Sequence, residues 1–276
     1  MRRDEMRDFE GKVAFVTGGA NGLGFSLARA FGRARMKVML ADIDVDALQN
    51  AVAELKKDQI SVRSVECDVS DCTSVQRAAA DTLAAFGKVH LVCSNAGVHC
   101  SGAVERITPG DWDWVLGVNL MGFAYAIQAF LPQIKAHEEG GHIVATSAMV
   151  GMFSPPGFGP VNAAKAGIIA LSQTLAAELA GTSIGVSVLV PGFMRTRAIE
   201  NADRNRPKRF GERTAASPEA REQMAVLVRA GMDPDEVAEK AVQGIKENQL
   251  YIFSDPEWRS PLEEHYQRIL AAYPKA

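Results

Sequence analysis

Long apolar runs, paired cysteines and tyrosines are all scarce in this chain of 276 residues. No apolar run reaches the length a spanning helix requires, so no membrane-crossing segment is expected. The four cysteines, Cys67, Cys72, Cys93 and Cys100, form no CxxC pair, and a disulfide framework does not suit a chain of this size and character. Cys67 and Cys93 fall at the ends of apolar runs, where a thiol behaves as a small buried hydrophobe. No excess of positive charge exists either. The formal net charge is -3 and the pI about 6.0, which argues against a general nucleic-acid or membrane-surface role. The opening MRRDEMRDFEGK leads into no apolar h-region, so no signal peptide is expected. Internal repeats and low-complexity tracts are missing as well. The expectation is a reduced, cytoplasmic protein without a metal site.

What is present suits a packed domain: 47% of residues are hydrophobic and 23% charged. Short apolar runs alternate with helix-length segments. VAFVT (13–17), KVMLAD (37–42), SVRSVECDV (61–69), VHLVCSNAG (89–97), GHIVATSA (141–148), GVSVLVPG (185–192) and LYIF (250–253) read as strands. Continuous apolar strands alternating with helices predict a parallel sheet covered on both faces. Right-handed crossovers then favour a doubly wound α/β domain, Rossmann-like, spanning residues 1–276. The alternation fails between about 193 and 235, where RTRAIENADRNRPKRFGERTAASPEA is rich in charge and carries Pro207 and Pro218. A long insertion after a late strand is commonly functional, and this one reads as a substrate lid.

TGGANGLG, residues 17–24, follows the first strand directly and opens a helix. Glycines there let the backbone turn tightly and approach a pyrophosphate, whose charge is favoured at the helix N-terminus. Gly18, Asn21, Gly22, Leu23 and Gly24 are therefore expected to bind a dinucleotide. Asp42 ends the second strand, where a carboxylate accepts hydrogen bonds from ribose hydroxyls and repels a 2′-phosphate. No basic residue stands at Asn21 or in DIDVD, so the cofactor should be NAD rather than NADP. Asp44 reads as a helix cap.

These motifs, with those that follow, identify a resemblance to the short-chain dehydrogenase/reductase family, from about Phe9 to Phe253. TGGANGLG is similar to that family's TGxxxGxG turn. CDVSD matches its adenine-pocket acid, here Asp68 with Val69. SNAG matches its NAG element, Asn95, Ala96 and Gly97. GVNLMG places Asn119 where the family has a catalytic Asn, and PGFMRT places Thr196 where a Thr bonds the nicotinamide carboxamide. The GPxxAAKA run and the LYIFSDPEWR tail resemble a bacterial branch that oxidises benzylic alcohols of lignin-derived aromatics. The resemblance also implies a homodimer or homotetramer formed through helices around 112–136 and 160–180.

The family's mechanism uses Ser, Tyr and Lys, with Tyr four residues before Lys and Ser thirteen before Tyr. Its Tyr phenol, with an ordinary pKa of about 10, is lowered by the ammonium and exchanges a proton with the substrate oxygen. Here Lys165 is present in GFGPVNAAKAG, yet the Tyr position holds Val161 and the Ser position Ala148. Ser147 is adjacent, but neighbouring side chains on a strand face opposite sides. None of the four tyrosines, Tyr125, Tyr251, Tyr266 and Tyr273, stands at a substitute position.

Lys165 acting through water, Asn119 and His99 are the candidate relay. His99 lies just past a strand's C-terminal end, where ligands bind in open α/β sheets and where a His can act near neutral pH. Cys100 beside it lacks a base. His90 and His142 open strands and read as structural, and His137 sits in an exposed turn. Ala148 and Val161 make the pocket floor apolar, and Phe153 and Phe158 extend it toward an aromatic small-molecule substrate. Arg195, Arg197, Arg204, Arg206, Lys208, Arg209 and Arg213 outnumber Glu200, Asp203 and Glu212 in the lid, which fits either a solvated, mobile face or a clamp on a substrate carboxylate or phosphate. Three readings stand at this level. They are an NAD-dependent oxidoreductase with an altered relay, a non-redox lyase or isomerase in the same pocket, and an NAD-binding protein without catalysis.

Overall fold

The computed structural model describes residues 6–196, 204–214 and 218–274. Seven parallel strands form one sheet in the order β3-β2-β1-β4-β5-β6-β7. They are β1 (Val13–Thr17), β2 (Lys37–Asp42), β3 (Val62–Glu66), β4 (Leu91–Ser94), β5 (Gly141–Thr146), β6 (Ile184–Val190) and β7 (Tyr251–Phe253). Every residue of β1, β5 and β6 is buried, as continuous apolar runs require of strands covered on both faces. The connections are helical: α1 (Gly22–Arg33), α2 (Val45–Lys57), α3 (Cys72–Phe86), α4 (Pro109–Leu116), α5 (Gly122–His137) and α6 (Gly159–Glu178). Beyond β6 come α7 (Pro218–Ala230), α8 (Pro234–Lys246) and, after β7, α9 (Arg259–Leu270).

Two apolar cores cover the two faces. Leu27 and Phe31 of α1, Leu55 of α2 and Val237 and Ile245 of α8 pack one. Val75 of α3, Phe123 and Phe130 of α5 and Ile168 and Leu175 of α6 pack the other, where Phe15 meets Phe130 with ring centroids 4.4 Å apart. Truncating a ring buried this fully costs about 3–5 kcal/mol, so the sheet's centre is held from both sides. Chain order reverses between β1 and β4, and the crevice at their C-terminal ends is where such sheets bind ligands.

Two expectations need correction. The helical stretch Pro109–His137, continuous through a π turn at Gly117–Met121, is long and apolar enough to cross a membrane by length and composition. It packs Trp114, Phe123, Phe130 and Ile134 into the core. Asp111, Asp113 and Lys135 lie toward its ends, and between them Asn119, Gln128 and Gln133 interrupt the apolar run in the sequence but not the helix. His137 also differs from expectation. It is the half-buried last residue of α5, and its Nε2 meets the Val89 carbonyl at 2.8 Å, rather than lying in an exposed turn.

Candidate active site

A cavity of about 550 Å³ opens at the C-terminal ends of the strands. Its nucleotide side begins where β1 gives way to α1. Gly18 has φ +63 and Gly22 φ +52, conformations that side chains rarely adopt. A Cβ on Gly18 would lie 2.9 Å from the Ala96 Cα, and one on Gly24 would fall on the Gly18 carbonyl. Asn21, at the N-cap of α1, makes no side-chain cap bond, so the amides of the first turn are left for another acceptor. A shallow, Cβ-free cradle below an uncapped helix end fits a pyrophosphate. Gly24→Ala is expected to lower stability by about 1–3 kcal/mol through the forced shift of that turn. Urea melts of the two proteins check this, and equal midpoints would remove the steric account.

Asp42 closes β2 beside this turn. Its Oδ2 accepts from the Ala20 amide and its Oδ1 from the Asp44 amide, both at 3.1 Å, and burial raises its pKa. Asp44 caps α2 by accepting from the Ala47 amide at 3.0 Å. Asp68 and Val69 line the same end, but the Asp68 carboxylate is already engaged. One oxygen accepts from the Ser70 hydroxyl at 2.6 Å and the other from Arg209 at 2.6 Å.

Asn95 stitches three strand ends together. Its amide donates to the Thr17 hydroxyl at 2.9 Å, its Nδ2 donates to the Thr17 carbonyl at 3.1 Å, and its Oδ1 accepts from the Thr146 hydroxyl at 3.2 Å. The Ala96 amide also donates to the Thr17 hydroxyl, at 3.0 Å. Thr196 reaches back to the glycine turn, where a Cβ on Gly22 would lie 3.3 Å from it. Segments distant in sequence, 17–24, 94–97 and 191–196, thus converge.

The inner end holds Lys165 and Asn119, both buried. Lys165 Nζ donates to the Thr146 carbonyl at 2.7 Å, and burial pushes its pKa down to about 8. Asn119 sits in the π turn, a helix irregularity frequent at functional sites. Its Oδ1 accepts from the Val98 amide at 2.8 Å and its Nδ2 donates to the Val98 carbonyl at 3.0 Å. A Cβ on Gly97 would lie 3.6 Å from both Lys165 Nζ and Asn119 Oδ1, so the two polar ends converge above that glycine. Gly151 permits the turn after β5 to lie directly on the Lys165 backbone.

Beside this polar corner the lining is apolar. Ala148 and Val161 both line the cavity, and Ser147 is spent on the Lys165 carbonyl, to which its hydroxyl donates at 2.8 Å. His99 lines the cavity beside Phe158, ring centroids 5.3 Å apart. Burial and the charge of Arg213 push its pKa down to about 4. That corrects the expectation of a histidine titrating near neutrality: at pH 7 the ring is neutral and has no acidic proton to give. Phe153 stacks on Trp258, 5.4 Å between centroids, and Phe193 approaches the same indole at 6.2 Å.

The described parts of the segment from 193 to 235, residues 193–196, 204–214 and 218–235, are better anchored than the composition suggested. Met224, Leu227 and Val228 of α7 line the cavity, as do Asn205 and Pro207. Four of the arginines expected to clamp a substrate anion already hold carboxylates of this chain. Arg195 pairs with Asp233, Arg204 with Asp44, Arg206 with Asp111 and Arg209 with Asp68. Arg197, Glu200 and Asp203 lie outside the described residues. Trp258, Thr17, Thr146 and the α7 residues were missed by sequence reasoning. Only the threonines carried a signal, each being a polar residue closing a buried strand.

Away from the cavity, at the other ends of β4 and β5, His90, His137 and Glu139 bring possible ligand atoms within 4.8 Å of one another. Their nitrogens are already used. His90 Nδ1 accepts from the Val13 amide at 3.2 Å and its Nε2 meets Glu139 at 2.9 Å, while His137 Nδ1 accepts from the Glu139 amide at 3.1 Å. Lys88 pairs with the same carboxylate. This cluster is a hydrogen-bonded seam between β1, β4 and the end of α5.

Comparison with known proteins places this geometry. Residues 12–207 match the short chain dehydrogenase family model. The chain is 38% identical over 269 residues to a C alpha-dehydrogenase of Sphingobium sp. (strain NBRC 103272 / SYK-6), covering 96% of this chain and 87% of that protein. A short chain dehydrogenase/reductase from Burkholderia phymatum, solved in complex with NAD, superposes with a TM-score of 0.91 at 35% identity over 98% of each chain. The LigD-apo form from Sphingobium sp. strain SYK-6 superposes with a TM-score of 0.83 at 33% identity, over 98% of this chain and 100% of that one. With its glycine turn, Asn95, Asn119 and Lys165 assembled at the switch point of a seven-stranded parallel sheet, the chain belongs to the short chain dehydrogenase family.

Proposed function

We propose that the protein is an NAD-dependent oxidoreductase acting on an apolar or aromatic alcohol or ketone, with a proton relay that lacks the family's Ser and Tyr. The observation that carries this reading is that Lys165 lines the cavity together with the apolar Ala148 and Val161, while its Nζ and Asn119 Oδ1 converge above Gly97. Gly18, Asn21, Gly22, Leu23 and Gly24 would hold the pyrophosphate, Asp42 the ribose, Asp68 and Val69 the adenine edge. Asn95, Ala96, Gly97 and Thr196 would hold the nicotinamide half. Bound NAD supplies the hydride acceptor. NAD would be favoured over NADP because a carboxylate at Asp42 would accept from ribose hydroxyls and repel a 2′-phosphate. The NAD held by the Burkholderia phymatum relative supports the same choice.

The chain's own residues then position a substrate and move a proton. Phe153, Phe158 and Trp258 offer ring faces to an apolar or aromatic body. Val161 and Ala148 can neither donate nor accept a proton. Lys165, at about 8, exists in both protonation states near neutrality and can exchange a proton through water. Neutral His99 can hydrogen-bond a substrate oxygen without ionising.

Oxidation of 1-phenylethanol and larger aryl alcohols with NAD, followed from about pH 6 to pH 10, tests the reading. The rate is expected to rise with pH around an apparent pKa near 8 as Lys165 loses its proton. Lys165→Met should lose about 10²-fold or more. A flat pH profile, or a Lys165→Met enzyme as active as the parent, contradicts it. His99→Ala with unchanged turnover would remove His99 from the relay. The apolar wall also favours a second reading, nucleotide binding without turnover, which NAD binding with no NADH formed would establish.

A further inference from the structure

Residues 204–214 cross the nucleotide end of the cavity and are tied down by two kinds of contact. Those to Asp111, from Arg206 and Thr214, are buried. Arg206 and Asp111 pair at 2.7 Å with side chains 7% and 0% exposed, and the guanidinium lies 4.7 Å over the Trp114 ring. Arg206 also donates to the Gly211 carbonyl at 2.9 Å and to the Phe210 carbonyl at 2.6 Å, closing the segment into a compact turn. The other Asp111 oxygen accepts from the Thr108 hydroxyl at 2.9 Å and from the Thr214 hydroxyl at 2.6 Å. Gly110 lets the Phe210 carbonyl settle against the first turn of α4, where a Cβ would collide with it. A buried pair with its remaining lone pairs satisfied is costly to break. This is a fixed anchor.

The contacts to Asp44 and Asp68 are different. Arg204, with Asn205 at 3.4 Å, holds Asp44 just past the end of β2. Arg209 holds Asp68 and Ser70, at 2.6 and 2.8 Å, just past the end of β3. These arginines are 64% and 51% exposed, so salt screens their pairs far more than it screens the anchor. Between them, Asn205 and Pro207 line the cavity together with Asp42 and Ile43. The segment therefore bridges two neighbouring strand ends directly above the expected ribose and adenine positions.

We infer that residues 204–214 are a strap, anchored at Asp111 and latched at Asp44 and Asp68, that must unlatch for the adenosine half of the cofactor to enter or leave. Arg204 and Arg209 are positioning residues in this account; they act by holding the strap shut. The inference rests on the NAD reading above but does not need turnover.

Stopped-flow fluorescence of NADH binding tests it, with the parent protein and the Arg204→Gln/Arg209→Gln double variant at low and high salt. The double variant is expected to raise both association and dissociation rates by roughly threefold to tenfold, the range two exposed pairs can supply. The dissociation constant should move less than either rate. The parent's dissociation should quicken with salt, and the variant should lose most of that dependence. Equal rates in the two proteins overturn the strap. So does a variant in which only dissociation quickens, because that makes the arginines direct contacts to the nucleotide. If NADH does not bind the parent at all, the NAD reading fails first and the strap with it. NADH binding with rates insensitive to the latches sinks the strap alone.

Discussion

Ala148→Ser combined with Val161→Tyr is expected to raise NAD-linked oxidation of aryl alcohols by about 10²–10⁴-fold, the usual contribution of a positioned general acid–base. The scaffold for that gain is already built. Positions 161 and 165 are one turn apart on α6 and share a face. Lys165 is held on the Thr146 carbonyl at 2.7 Å, so its ammonium would stand beside the new phenol and lower its pKa. Ala148 is in extended backbone, φ -168, at the start of the turn that follows β5, and both positions line the cavity. Ser147 cannot take the vacant role, because its hydroxyl is committed to the Lys165 carbonyl. NADH absorbance checks the outcome, with Ala148→Ser/Val161→Phe as the control for ring shape without a hydroxyl. A gain in the Phe control as large as in the Tyr variant would show packing rather than proton transfer. No gain in the Tyr variant, with NADH still bound, would mean that more than two groups separate this site from the family's mechanism.

Acid lability is the second large effect. His142 is 1% exposed in β5, and burial pushes its pKa down to about 3. Its Nε2 lies 2.8 Å from the Ser187 hydroxyl, whose own proton goes to the Gln249 carbonyl at 2.6 Å. The ring must therefore donate from Nε2, and it is neutral in the folded chain. His90 is also lowered, by burial, and its Nδ1 accepts from the Val13 amide. An unfolded histidine takes up a proton below about pH 6.5. Between that value and the folded pKa the unfolded state binds more protons, so stability is intact above the window and falls with pH inside it. For His142 alone the loss by about pH 4.5 is on the order of 3 kcal/mol at 1.36 kcal/mol per unit. That is a large share of a typical folding free energy of about 5–15 kcal/mol. Ordinary carboxylates titrate mainly below this window, which leaves it to the histidines. Urea midpoints should fall steadily between about pH 6.5 and 4.5, and His142→Asn, less stable at neutral pH, should show a shallower slope. A parent protein with flat stability across that range would contradict a neutral, buried His142.

Much of the framework was legible because it depends on local pattern. VAFVT and KVMLAD coincide with β1 and β2, since a strand buried on both faces leaves an uninterrupted apolar run. The runs read as 61–69 and 141–148 overshoot. β3 stops at Glu66 and β5 at Thr146, where the chain leaves the sheet to line the cavity, and polarity alone does not mark that departure. The glycine turn and Asp42 could be read from their places at the ends of the first two strands, whereas Asn119 and Lys165 were read only through motifs that resemble the family's. Trp258, Met224 and Asn205 were not, because their places depend on how remote segments pack. The lid arginines show the same limit. Counting charge suggested an anion clamp, whereas their partners lie 160, 95 and 141 residues away at Asp44, Asp111 and Asp68.

The central claim is that hydride chemistry survives in a site without the usual phenol, and a single turnover tests it most directly. The protein would be mixed with NAD and 1-phenylethanol deuterated at the carbinol carbon, at concentrations stoichiometric with its sites. The cofactor would then be examined by mass spectrometry. The account predicts deuterated NADH that accumulates faster at about pH 9 than at about pH 7, following the loss of the Lys165 proton near 8, and that is lost in Lys165→Met. NAD that binds and returns without deuterium, at any pH and with any aryl alcohol tried, would contradict it and leave a nucleotide-binding protein that does no redox chemistry.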